Sequence, residues 1–138
     1  MQTLNTLDVF DNRLYCLMRT DLASMNPGKA IAQGMHAQAE AEAILAALGG
    51  EWTAMWTAWK LQAGHFGTTV TLGGAIDDIH TALVMLGEAG FPCGVVHDPT
   101  YPLLDGRVMH LIPLDTCAWT FGSAFRLKPL LVSLSLHP

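Results

Sequence analysis

Residues 13–48 read RLYCLMRTDLASMNPGKAIAQGMHAQAEAEAILAAL, and this stretch decides the fold. Its opening, Arg13 to Thr20, alternates partly and is rich in apolar and aromatic side chains, which suits a buried strand. Asp21 to Lys29 reads as a loop. It holds a Pro-Gly pair, and Pro27 suits the first turn of the helix that follows. Ala30 to Leu48 is dominated by Ala with Glu, Gln, Leu and Met, all strong helix formers, and Gly49-Gly50 stops it.

Downstream, Trp52 to Gln62 reads as a short helix whose Trp52, Trp56 and Trp59 recur at helical spacing, the pattern of core packing. Gly67 to Leu72 is a β-branched strand, Ile76 to Ala89 an amphipathic helix closed by Gly90, and Cys93 to His97 a short buried strand. DPTYPLLDGR reads as a loop and Val108 to Leu114 as another strand. The apolar tail from Leu127 to Leu136 suits a short edge strand or a core cover. The order β-α-α-β-α-β-β predicts an α/β sandwich on a mixed sheet, with the short final β-β link forming an antiparallel pair. Residues 1–12 read as a leader and residues 13–138 as a single domain.

Composition agrees. The chain has 138 residues, 51% of them hydrophobic and 14% charged, which excludes intrinsic disorder and allows a sizeable core. A net charge of −5 argues against a general nucleic-acid coat, whose affinity comes from neutralising phosphates. No apolar run is long enough to span a membrane, and the acidic start MQTLNTLDVFDNR lacks the features of a signal peptide. Three widely spaced cysteines, Cys16, Cys93 and Cys117, suit buried reduced thiols and a cytoplasmic setting. The histidines show no ligand spacing, so no metal site is expected.

Ligands of α/β sheets gather at the carboxyl ends of strands and the helix starts beside them. Two segments qualify. One runs from Arg19 to Lys29 into the helix, where Lys29, Gln33, His36 and Glu40 share a face. The other is His97 to Tyr101. If their strands are neighbours, Lys29, His36 and Asp98 meet in one cleft. A carboxylate and an imidazole can orient or deprotonate water, and a lysine at a helix start can hold phosphate or a developing oxyanion. Each also has an ordinary reading: Lys29 as a solvated helix-start residue, His36 as a hydrogen-bonded helical histidine, Asp98 as an Asp-Pro turn cap. Asp77-Asp78 read as the cap of the helix before His80.

The run RTDLASMNPGKAIAQGMHAQAEA resembles the opening signature of the type 2 peptidyl-tRNA hydrolases, through Arg19, Asp21, Leu22, Met25, Gly28, Lys29, Ala32, Gln33, His36 and Ala37. GFPCGVVHDPTYP is similar to the family's second segment, Ile-x-Asp-Ala-Gly-x-Thr-Gln, with Asp98 as the Asp. The resemblance covers roughly residues 13–131. It implies a three-layer sandwich with a mixed four-stranded sheet and helices on both faces, a homodimer, and cleavage of the ester between a peptide and the terminal adenosine of tRNA. It implies no cofactor. Carried over, Lys29 and Asp98 are the central pair with His36, while Arg19, Asp21, Gln33, Thr100 and Tyr101 bind the acceptor end. Tyr101 has the face to stack on an adenine, or serves as a lid or dimer contact. The chain departs from the pattern at an extra loop residue, Ser24, and at Pro102, which replaces the family's threonine. These departures and the acidic balance motivate an alternative: a non-catalytic module that binds a protein partner or small molecule on the same fold.

Overall fold

The protein is described here by a computed structural model covering residues 11–138. Its elements are β1 (Asn12–Arg19), α1 (Pro27–Leu48), α2 (Gly50–Lys60), β2 (Thr69–Gly74), α3 (Ile76–Glu88), β3 (Cys93–Asp105), β4 (Val108–Ser123), α4 (Ala124–Leu127), a 3-10 turn (Lys128–Leu130) and β5 (Ser135–Leu136). They form an α/β fold on one mixed sheet of order β3-β4-β1-β2-β5. Only the β1–β2 pair is parallel; β1–β4, β3–β4 and β2–β5 are antiparallel. The sheet therefore has five strands rather than four, because two residues of the apolar tail pair with β2. The expected leader lies outside the described residues for positions 1–10. Asp11 and Asn12 belong to the domain: Asn12 opens β1, and Asp11 Oδ2 accepts hydrogen bonds from Ser123 Oγ (2.9 Å) and Phe125 N (3.0 Å).

Topology explains the layers. The α1–α2 connection steps from β1 to β2, and the α3 connection steps back across the sheet from β2 to β3. Crossovers of one hand made in opposite directions put their helices on opposite faces. Strand alternation does the rest. Leu14, Cys16 and Met18 of β1 join Ala37, Ala41, Leu45, Trp56 and Trp59 on one face. Leu17 joins Ile79, Ala82, Leu86 and Leu127 on the other. The tryptophan stripe is core: Trp56 stacks on Trp59 at 4.5 Å, and both meet Phe121 edge-on. The thiols of Cys16 and Cys117 are buried and that of Cys93 is half-buried, all three free.

The segment expected to be a loop after His97 is a strand. β3 runs on to Asp105, turns through Gly106-Arg107, and returns as β4, forming a two-stranded arm. Gly106 has φ +60°, the left-handed value that a two-residue hairpin turn requires at its first central position. Pro99 and Pro102 suggested a loop. They are tolerated because β3 is an edge strand, where a missing N–H need not break a ladder bond. Two register shifts interrupt the arm where it leaves the body, between Val96 and His97 and between Asp98 and Tyr101.

α1 starts at Pro27, three residues before the expected start, because the Asn26 side chain caps it by accepting from Lys29 N at 2.9 Å. The start of α3 is closed differently from expectation. Asp77 and Asp78 lie in its first turn, where they favour the helix dipole, but the side-chain hydrogen bond comes from Asp21, whose Oδ2 accepts from Ile76 N at 3.2 Å. Among the described residues, no helix is long and apolar enough to cross a membrane.

Candidate functional site

β1 and β3 are not neighbours, since β4 separates them. The two candidate segments meet for another reason: α1 lies across β4 and β3. Gln33, on the α1 face read from the 4-3-4 spacing, is 3% exposed and reaches over β4 to Asp98, its Nε2 donating to Oδ2 at 2.8 Å. Thr116 Oγ1 donates to Gln33 Oε1 at 2.6 Å, fixing the amide from behind. Thr116 is the unpaired residue of the first register shift, between Cys117 (opposite Val96) and Asp115 (opposite His97). Strict alternation would send adjacent residues to opposite faces; the bulge lets Thr116 and Cys117 both bond to Gln33.

Asp98 is held on its other side by Thr100, whose N–H donates to Oδ1 at 2.9 Å and whose hydroxyl stands at 3.4 Å. Burial pushes the Asp98 carboxyl up. The bonds from Gln33 and Thr100 and the charge of His36 outweigh it and hold the group below the ordinary carboxylate value. Asp98 is therefore ionised at neutral pH. A carboxylate offers about four acceptor positions. The three donors leave room for a water or a substrate hydroxyl.

Lys29 sits one turn before Gln33 on α1. Its Nζ donates to the Pro102 carbonyl at 2.8 Å and lies 5.0 Å from the centre of the Tyr101 ring. Tyr101 is fully buried, with its hydroxyl 3.0 Å from Ser24 Oγ. This corrects the reading of Tyr101 as an exposed aromatic free to stack on a base: on β3 its ring is a wall of the fold and the seat of the Lys29 cation. Ser24, the extra residue of the loop, ties that loop to β3.

Gln33, Asp98 and Thr100 are thus brought together, Lys29 is set against Tyr101 and Pro102 one turn earlier on α1, and exposed His36, when protonated, acts on Asp98 through its charge. Arg19 and Asp21 are engaged elsewhere. Arg19 forks onto Asp21 (2.8 and 3.2 Å) and donates to the Asp115 carbonyl at 3.0 Å, joining β1 to β4, while Asp21 caps α3. These bonds are joints of the fold, and Arg19 also lines a cavity at the start of α1 with Met25, Asn26, Pro27 and Ala30.

A second polar cluster escaped the sequence reading. Asp115 is shared by two histidines, His97 Nδ1 at 2.7 Å on Oδ1 and His80 Nε2 at 3.2 Å on Oδ2. Nothing local signals it, because α3 and the β3–β4 register must both form before the three residues meet. Among the described residues, no group of three or more His, Cys, Asp or Glu is arranged to hold a metal ion. The His97 hydrogen bond, opposed by burial and aided by His80, holds the Asp115 carboxyl below its ordinary value. A folded-state pKa below the unfolded value of about 3.9 stabilises the protein above that pH, and the gain is lost as pH falls through the folded value. Asp115→Asn is therefore expected to cost about 0.5–1 kcal/mol at pH 6, with the gap to the native protein closing below about pH 4. Urea denaturation at both pH values measures it.

No known family profile matches the chain, and no curated protein matches it. Among solved structures it is similar to a protein of unknown function from Agrobacterium tumefaciens, with 9% identity and a TM-score of 0.57 over 94% of this chain and 99% of that one. At that identity the likeness concerns the fold alone.

Proposed function

We propose that the chain is a divergent relative of the type 2 peptidyl-tRNA hydrolases and cleaves the ester between a peptide and the 3′-terminal adenosine of tRNA. The observation that supports this reading is the chain of hydrogen bonds Thr116–Gln33–Asp98–Thr100 beside Lys29. It fixes an ionised carboxylate at Gln33, one helical turn along α1 from Lys29, whose ammonium group the Pro102 carbonyl holds. With its pKa held down, Asp98 is better suited to orient a water than to deprotonate it fully, since a strong general base has a pKa near the working pH. In this mechanism water, hydrogen-bonded to Asp98, attacks the ester carbonyl. Lys29 leaves the Pro102 carbonyl and stabilises the developing oxyanion. His36 takes the water proton and returns it to the ribose oxygen as the carbon–oxygen bond breaks. A homodimer follows from the same resemblance, and the three free cysteines suit a cytoplasmic location.

The test is hydrolysis of a peptidyl-tRNA by the native protein and by Lys29→Ala and Asp98→Ala. Both variants should lose at least about 100-fold in turnover while melting as cooperatively as the native chain. An inactive native chain, or activity that survives both substitutions, refutes the assignment. One observation favours the second reading, a non-catalytic binding module on the same fold: Lys29 is already engaged by the Pro102 carbonyl and the Tyr101 ring. Specific binding of a protein partner or small molecule that Lys29→Ala abolishes, with no turnover of peptidyl-tRNA, would support that module.

A further inference from the structure

The sheet face opposite Lys29 and Asp98 carries a cavity of about 650 Å³. Its floor is Tyr15 of β1 with Val70 and Leu72 of β2, and its far wall is the C-terminal segment from α4 to β5. It exists because α3 packs toward β1, β4 and β3, leaving the face of β2 to the short helix, the 3-10 turn and the tail. Its size falls in the range of about 300–1,000 Å³ typical of small-molecule sites. Large apolar side chains stand open around it: Phe125 is 84% exposed, Val132 77% and Leu136 74%.

The lining carries one charge of each sign, Asp11 and Lys128. Asp11 lines the cavity, but its carboxylate is engaged by Ser123 and the Phe125 N–H. Tyr15 adds no charge: its phenol is neutral at physiological pH, and burial, opposed by Arg13 and aided by the charge of Asp11, pushes it further up. Lys128 also lines the cavity and is exposed, and among the described residues no carboxylate pairs with its ammonium group. An apolar hollow with one available cation matches a ligand with a hydrocarbon body and one anionic end.

We propose that this cavity is a binding site for a single-chain aliphatic carboxylate, its chain lying over Tyr15, Val70 and Leu72 and its head group meeting Lys128. The site is independent of the proposed hydrolase chemistry, which lies across the sheet. Titration of the full chain with dansyl-undecanoic acid, followed by fluorescence, tests it against the neutral methyl ester of the same probe. Saturable one-to-one binding at about micromolar concentration is expected. Lys128→Glu should weaken the acid roughly tenfold and leave the ester unchanged. Val70→Phe, which fills the floor, should weaken both probes, with the melting temperature reporting that the variant is folded. Absence of saturable binding overturns the proposal, as does binding that both variants leave unchanged. A concentration-dependent dimer that Val132→Glu dissociates, without probe binding, would instead make a second copy of the chain the occupant and also overturn it.

Discussion

Gly67→Ala is expected to destabilise the protein by about 2–5 kcal/mol, a loss on the order of 10 °C in melting temperature. Two effects add. Gly67 has φ +71°, a left-handed conformation that costs an L-residue with a Cβ about 1–2 kcal/mol. The added methyl would also collide with the Trp59 indole. Trp59 has nowhere to retreat. It is fully buried, stacked on Trp56, edge-on to Phe121, and its indole N–H donates to the Thr68 carbonyl at 2.9 Å. Thermal and urea melts measure the loss. In a Trp59→Ala background the clash disappears, so Gly67→Ala should there cost only its backbone share. Equal costs in the two backgrounds would show that the indole does not constrain this turn.

Trp119→Ala is expected to cost about 3–5 kcal/mol. Trp119 is fully buried on β4, opposite Cys16 of β1, and its indole N–H donates to Glu40 Oε2 at 3.0 Å. Its partner on β3 is Gly94, where a Cβ would stand 2.8 Å from Trp119 Nε1, so that position is shaped around the indole. Removing the side chain empties the space between α1 and the sheet and takes a donor from Glu40. Trp119→Phe should cost less than half as much. A loss below about 1 kcal/mol for the alanine variant would mean that α1 settles onto the sheet without it. Denaturant midpoints at constant slope decide between these outcomes.

Local pattern made much of this fold readable. β1, α1 and α3 follow from periodicity, and the shared face of Lys29, Gln33 and His36 follows from spacing alone. The arm was not readable because Pro99 and Pro102 disguise a strand whose edge position makes them tolerable. The burial of Tyr101 went with it. The site was readable as a set of residue types but not as a wiring diagram. Gln33 reaches Asp98 across 65 positions of sequence, and Thr116 joins them only through a bulge. A bulge is a property of pairing between strands, and the sequence of one strand does not announce it. Arg19 and Asp21 show the reverse case, polar residues that resemble a binding motif and are used as joints.

The two register shifts at the root of the arm also separate its phase from that of the body. A one-residue slip in a continuous ladder would turn every side chain to the other face, from the Gly106-Arg107 tip down to Cys117. Here each irregularity restarts the alternation, so Val96 opposite Cys117 keeps its place whatever the tip becomes. Residues can be gained or lost in pairs at the tip without reaching Asp98 or Thr116. The arm is thus a region of free length grafted onto a body of fixed phase, where insertions can accumulate while the core stays in step.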